Sequence, residues 1–120
     1  MRDVVDRLLT SGSTDTSELL SQTGWRDDST DEELQALYRD YDARYADALR
    51  ELVMLLGEPQ KRRPSDAAWF GSWYPEAFAA AAWSSNGKWI CLAAEHADRE
   101  TPVILQLRCL TERALAELAS

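Results

Sequence analysis

The chain has 120 residues, of which 45% are hydrophobic and 28% are charged, and its formal net charge is −8. This length and composition are typical of one globular domain and exclude two independent ones. An acidic chain lacks the basic surface that non-specific nucleic-acid binding needs, and no apolar run approaches the ~20 residues of a membrane span.

Patterns typical of helices fill the front of the chain and patterns typical of strands follow them, which favours an α+β fold. We expect N-terminal helices, one of them long and amphipathic, packed on a small antiparallel sheet, with a short C-terminal helix. The expected parts of this single domain are the helices of 1–56, an aromatic-rich connection over 57–78, antiparallel strands over 79–110 and a helix over 111–119.

Two short helices are predicted before the long one. The first covers about Asp3 to Leu9, where apolar side chains share one helical face. The second is predicted from Asp15 to Gly24, because Asp15 and Glu18 have the spacing of a capping box.

A long amphipathic helix is predicted from Thr30 to Leu56. Thr30 is followed three residues later by Glu33, which suits a capped N-terminus, and Gly57 suits the position just after the C-terminus. Between them, apolar side chains recur mostly three and four residues apart, namely Leu34, Leu37, Tyr38, Tyr41, Tyr45, Leu49, Leu52, Val53 and Leu56.

The opposite face of this helix interleaves acidic and basic side chains. The simplest interpretation is a solvated face of mixed charge. The alternative is an acidic surface that contacts a partner, for which the candidates are Asp40, Asp47 and Glu51.

The connection after the long helix is unusually aromatic for an irregular segment. It contains Trp69, Trp73 and Tyr74, in a chain with five tryptophans. These side chains either cover the edge of the core or contact a partner, since Trp and Tyr are enriched where binding energy concentrates. We take all three as candidate partner-binding residues.

Asn86-Gly87 is the strongest hairpin signal in the chain, because this dipeptide favours a two-residue type I′ turn. The turn pairs Ser85 with Lys88 and sets Trp83 opposite Ile90. A third strand is predicted over about 102–110, where Val103, Leu105, Leu107 and Cys109 alternate with Gln106 and Arg108. Thr111 is the expected N-cap of the last helix.

The only histidine, His96, lies in the charged segment Glu95–Glu100. A lone histidine with loop carboxylates lacks the ligands of a transition-metal site, and no nucleophile motif accompanies it. We therefore predict no enzyme, no catalytic residue, no metal and no cofactor. The segment is interpreted as a charged connection between strands or, alternatively, as a recognition loop that presents Asp98 and Glu100 to a partner.

Cys91 and Cys109 are far apart and fit no metal or redox spacing. Both lie in apolar stretches, so we expect buried free thiols in a reducing compartment. The N-terminal residues contain no apolar core of a secretory signal. Together these features predict a cytoplasmic protein.

Four segments resemble small bacterial immunity proteins of polymorphic-toxin systems, over roughly residues 55–108. They are Leu55–Pro59 after the long helix, Trp73–Ala77, Ala82-Trp83 and His96–Pro102. The resemblance implies a cytosolic protein that neutralises a cognate toxin by binding it, without catalytic residues of its own.

The acidic charge would suit a basic toxin domain, because opposite charges speed association. Neither nucleic acid nor membrane is expected as a partner. The alternative hypothesis is a small regulatory or adaptor module that binds another protein or a small ligand.

Overall fold

The computed structural model describes residues 1–12, 14–23, 30–62, 67–71, 77–96 and 101–119. In chain order, these residues form α1 (Arg2–Thr10), β1 (Asp15–Gln22), α2 (Asp31–Leu56), β2 (Lys61–Arg62), α3 (Ala67–Gly71), β3 (Ala77–Ser85), β4 (Lys88–Glu95), β5 (Ile104–Thr111) and α4 (Glu112–Ala119). The predicted α+β class, with a long helix on an antiparallel sheet and a short C-terminal helix, is confirmed.

The long helix α2 begins and ends where the capping residues predict. The Thr30 side chain accepts a hydrogen bond from the backbone N–H of Glu33 at 3.2 Å. Gly57 adopts a φ of 84°, and its N–H donates to the carbonyl of Val53 at 2.8 Å. A positive φ causes little strain in glycine, which has no Cβ, so the helix ends at this residue. None of the described helices has the length and apolar character needed to cross a bilayer.

The described strands form one antiparallel sheet in the order β1-β5-β4-β3-β2. The β3–β4 hairpin turns at Asn86 and Gly87, whose φ angles of 50° and 78° are those a type I′ turn requires. Its register sets Trp83 opposite Ile90, as the position of the turn predicts.

The predicted helix over residues 15–24 is wrong, because residues 15–22 form the edge strand β1 beside β5. The Asp15 carboxylate does not cap a helix. It accepts two hydrogen bonds from Arg108 of β5, at 2.9 and 2.6 Å. Exposed and partly buried residues largely alternate along β1, as expected of a strand with one face on the core.

The 57–78 connection is more regular than predicted. It contains the short edge strand β2 and the one-turn helix α3, and β3 already begins at Ala77. At the C-terminus, Thr111 caps α4 as predicted, since its side chain accepts a hydrogen bond from the N–H of Ala114 at 3.1 Å.

The sheet is covered by helices on both faces. On the first face, α1 and α2 pack over one apolar cluster, whose fully buried members include Leu52, Trp83, Ile90, Leu92 and Leu107. On the second face, α3 and α4 pack over a smaller cluster that includes Phe70, Ala82, Cys91, Leu110 and Leu115. The strands therefore separate α2 from α3, and this separation determines which side chains can share a surface.

Candidate protein-binding surface

Trp69 lies on α3, over the second face of the sheet. Its ring centroid is 4.9 Å from that of Phe70 and 4.9 Å from that of Trp89. Trp69 and Trp89 are partly buried against the second cluster, and Phe70 is fully buried. Trp69 therefore packs at the edge of the core and keeps part of its ring accessible.

The acidic candidates of α2 lie over the first face. Asp40 pairs with Arg44 of the same helix at 3.0 Å, and Asp47 pairs with Arg50. Arg44 also donates to the Ser21 side chain of β1, at 3.3 Å. Because Arg44 contacts β1, its partner Asp40 lies on the β1 side of the helix. The two ion pairs neutralise part of the acidic charge.

Glu51 is exposed and has no side-chain partner among the described residues. Its spacing from Asp47 and Asp40, four and eleven residues, sets it on the same side of α2. The structure thus groups the three helix acids with one another. It does not bring them together with Trp69, which lies across the sheet. The remaining candidates, Trp73, Tyr74, Asp98 and Glu100, lie outside the described residues.

Four side chains that the sequence did not single out as binding residues form an open cleft of about 460 Å³ on the other side of α2. We call it the aromatic cleft; its residues are Tyr38, Asp42, Phe78 and His96. Tyr38 and Asp42 are one turn apart on α2, and His96 directly follows β4. The first face of the sheet and the helix above it therefore both contribute to the cleft.

Phe78 owes its position to an irregularity in the sheet. The β3–β4 register shifts between Ala77 and Ala79, which leaves Phe78 between them without a partner residue. A β-bulge of this kind changes the direction of a side chain relative to the regular alternation. The Phe78 ring accordingly lies against Tyr38, with centroids 5.4 Å apart, and remains 38% exposed.

His96 connects the helix with the chain that leads into β5. Its Nδ1 lies 2.5 Å from the Tyr38 hydroxyl, and its Nε2 lies 3.0 Å from the carbonyl oxygen of Thr101. A carbonyl can only accept, so Nε2 carries the proton and donates to Thr101. In the neutral ring Nδ1 then accepts, and the Tyr38 hydroxyl donates to it. Both ring nitrogens are thus occupied.

A second cleft, the apolar groove, lies further along α2 and measures about 420 Å³. Its lining residues are Leu49, Arg50, Val53, Met54, Glu58 and Arg62. Met54 is 87% exposed, the largest fraction among the exposed large hydrophobic side chains of the described residues. Single exposed apolar residues are common, but here the exposed side chain borders a concave apolar surface.

The two clefts share one flank of α2. An α-helix has about 3.6 residues per turn, so residues four, seven or eleven apart lie on one side. The residues that fulfil this spacing are Tyr38, Asp42, Leu49 and Val53. Phe78 of β3 and Arg62 of β2 complete the two clefts. We call this surface the β2–β3 flank; the ion pair of Asp40 and Arg44 lies on the opposite, β1 flank.

A third depression, of about 570 Å³, lies on the exposed part of the second face. Its central groups are the Asp15 carboxylate and the Arg108 guanidinium, which bind each other. Hydrogen bonding from Arg108 lowers the pKa of Asp15 below its ordinary value, although partial burial opposes this effect. Each charge therefore already has its partner.

Little in the amino-acid sequence indicates the aromatic cleft. Tyr38 belongs to the apolar stripe of α2, which indicates a core residue, and Asp42 belongs to its charged face. The available signal was the pair Tyr38 and Asp42 at a spacing of four. It indicates a cleft only together with the bulge at Phe78 and the hydrogen bonds of His96 to Tyr38 and Thr101.

Within the described ranges, no group of three or more His, Cys, Asp or Glu side chains is arranged to hold a metal ion. No family model, no curated protein and no solved structure matches the chain.

Proposed function

We propose that the protein is an immunity protein, which binds and neutralises a cognate bacterial toxin by protein–protein contact. The observation that carries the proposal is the β2–β3 flank of α2. There the aromatic cleft and the apolar groove lie along one side of the long helix α2, with Phe78 and Met54 exposed beside them. A partner that covers this flank would bury aromatic and aliphatic side chains together, which is the pattern of an interface core.

Charge supports the same proposal. The net charge of −8 creates a field that attracts a basic partner over a long range. Asp42 in the aromatic cleft is exposed and has no ion-pair partner among the described residues, so it is a carboxylate on this flank that a basic partner could bind. The resemblance of the 55–108 segment to immunity proteins agrees with an acidic inhibitor of a toxin domain.

The test is a co-expression with the protein encoded by the adjacent gene, because immunity genes accompany the genes of their toxins. We expect a stable complex in size-exclusion chromatography and growth protection of cells that produce the toxin domain. Absence of both, with a folded protein and a toxin domain that is active when produced alone, would refute the proposal.

Matched variants locate the contact. Phe78→Asp places a charge on the β2–β3 flank, and Met54→Asp places one at the exposed rim of the apolar groove. Both should weaken the complex. Leu19→Asp is the control, because Leu19 is also a large exposed side chain, at 51%. It pairs with Gln106 of the second face, so the sheet separates it from α2. Thermal unfolding of each variant separates loss of binding from loss of folding. Equal weakening by all three variants would show that the flank is not the contact surface.

A further inference from the structure

We infer that the aromatic cleft is a socket for one guanidinium group, contributed by an arginine side chain of the partner protein. The inference rests on the proposed function for the identity of that partner. The cleft itself, formed by Tyr38, Asp42, Phe78 and His96, can be examined on the isolated protein.

The polar atoms that remain available in the cleft are acceptors. Both nitrogens of His96 are occupied, since Nε2 donates to the Thr101 carbonyl and Nδ1 accepts from the Tyr38 hydroxyl. With the imidazole neutral, the Tyr38 hydroxyl uses its only proton in this hydrogen bond, and its oxygen keeps lone pairs that face no described donor. The Asp42 carboxylate also accepts only. A ligand that fits this arrangement must supply several donors and no further acceptor.

The charge of the cleft favours a cationic ligand, which also supplies donors. Asp42 forms no ion pair and no hydrogen bond with any described side chain. Arg39 stands one turn before it on α2, yet does not pair with it. By contrast, Asp40 and Asp47 each bind an arginine of the same helix. Of these three α2 carboxylates, only the one in the cleft has no cationic partner among the described residues, and it could pair with a cation of the partner protein.

The rings favour a flat cation over a compact one. Tyr38 and Phe78 meet at 61° with their centroids 5.4 Å apart, and Phe78 is partly open to solvent. A guanidinium group can stack on an aromatic face while its edge N–H groups reach a carboxylate, whereas an ammonium group is a hydrated point charge. Arginine therefore matches the two rings and Asp42 at the same time.

The experiment titrates the ¹⁵N-labelled full chain with the capped peptide acetyl-Gly-Arg-Gly-amide and follows the amide signals by NMR. The control probe is acetyl-Gly-citrulline-Gly-amide, which has the shape of the arginine peptide but no charge. We expect saturable shifts at Asp42, Phe78 and His96 with the arginine probe and none with citrulline. Equal shifts with both probes, or shifts confined to other regions, would overturn the inference.

Three variants make the test specific. Asp42→Asn should lower the affinity for the arginine peptide about two- to fivefold, as expected for loss of an exposed ion pair. Phe78→Leu keeps an apolar side chain but removes the ring, and should lower the affinity for the arginine peptide by a similar factor. Asp6→Asn removes the same charge from the exposed face of α1 and should leave the affinity unchanged. If Asp42→Asn and Asp6→Asn behave alike, the cleft is not the socket.

Two further outcomes separate this inference from the proposed function. Binding of the arginine probe without any complex with the adjacent-gene product would support the socket and refute the immunity role. A toxin complex that is unaffected by Asp42→Asn and Phe78→Leu would support the immunity role and refute the socket. Free arginine that binds more tightly than the capped peptide would indicate a small metabolite as the occupant, which also contradicts the inference.

Discussion

The indole N–H of Trp83 donates a hydrogen bond to the carbonyl oxygen of Gly57, at 2.8 Å. This contact joins the end of α2 to β3. Gly57 has the positive φ that ends the helix, and Trp83 is 1% exposed in the core of the first face. One buried donor therefore satisfies a carbonyl at a helix terminus, where backbone groups have no partner within the helix.

Replacement of Trp83 by phenylalanine should lower the free energy of unfolding by about 1–3 kcal/mol, because it removes this hydrogen bond and leaves a cavity. The matched control is Trp89→Phe, since Trp89 is only partly buried and its indole makes no hydrogen bond with the described residues. We expect less than about 1 kcal/mol for the control. Urea unfolding of both variants gives the comparison, and equal losses would contradict the role assigned to the bond.

The elements that the sequence predicted correctly carry their own local signals. Thr30 and Gly57 bound α2, and Asn86-Gly87 fixes the hairpin register. The helix predicted from Asp15 failed for a nonlocal reason. The carboxylate that resembles a helix cap binds Arg108, 93 residues later. A tertiary contact of this kind decides the structure of a segment whose local pattern is compatible with both a helix N-terminus and a strand.

The ion pair of Asp15 and Arg108 makes part of the stability depend on pH. The hydrogen bonds from Arg108 lower the pKa of Asp15 in the folded chain below its ordinary value in the unfolded chain. The pair therefore contributes stability above the ordinary carboxyl pKa, and the contribution is lost as the pH falls through the folded value. Asp15→Asn should reduce the free energy of unfolding by about 0.5–1 kcal/mol at neutral pH, as is typical of a partly exposed pair.

The difference between Asp15→Asn and the parent chain should shrink as the solution is acidified, because the carboxyl group is then neutral in both states. Urea unfolding at neutral and at acid pH measures it. Asp47→Asn is the control, since both side chains of the Asp47–Arg50 pair are more exposed than those of Asp15 and Arg108. This pair should therefore contribute less to the free energy of unfolding. A difference that stays constant with pH would show that Asp15 stabilises the strand by shape or by neutral hydrogen bonding.

Both cysteines should be unreactive in the folded protein. Cys91 and Cys109 are free and buried, and burial raises the pKa of each thiol above its ordinary value, so little thiolate exists at neutral pH. They also belong to clusters on opposite faces of the sheet. A disulfide between them would require the strands to rearrange.

Titration with an aromatic disulfide reagent tests this prediction. We expect no reaction with the folded chain and reaction of two thiols after unfolding in urea. Rapid reaction of one thiol in the folded state would show that its strand opens locally. No reaction after unfolding would mean that the two cysteines are already oxidised.

The candidate surface was harder to predict than the fold. In the sequence, Trp69 is a candidate because tryptophans in a connection often contact partners, and Asp40, Asp47 and Glu51 are candidates because they are charged. The structure places the tryptophan and the acids on opposite sides of the sheet. A helix pattern identifies a charged face, but it does not say which strand lies beside each flank. That information comes only from the strand order and from the bulge at Phe78.

The last prediction concerns the kinetics of the proposed toxin complex. Phe78 and Met54 would be desolvated in the complex, so Phe78→Ala and Met54→Ala should each cost on the order of 2 kcal/mol of binding, mainly by faster dissociation. Glu51 lies on the β1 flank, outside the clefts. Glu51→Gln should instead slow association slightly and flatten its dependence on salt, because a peripheral charge acts through long-range attraction.

Surface plasmon resonance at several salt concentrations measures the association and dissociation rates separately. The matched variant for the second face of the sheet is Trp69→Ala. Trp69 packs on Phe70 and Trp89 behind the sheet, so its truncation should cost folding stability and leave the dissociation rate of the folded fraction unchanged. The opposite pattern has a clear meaning. If Trp69→Ala speeds dissociation from a folded protein while Phe78→Ala does not, the partner binds the second face, where α3 lies. The acids of α2 could then act only by steering, since the sheet stands between them and the contact.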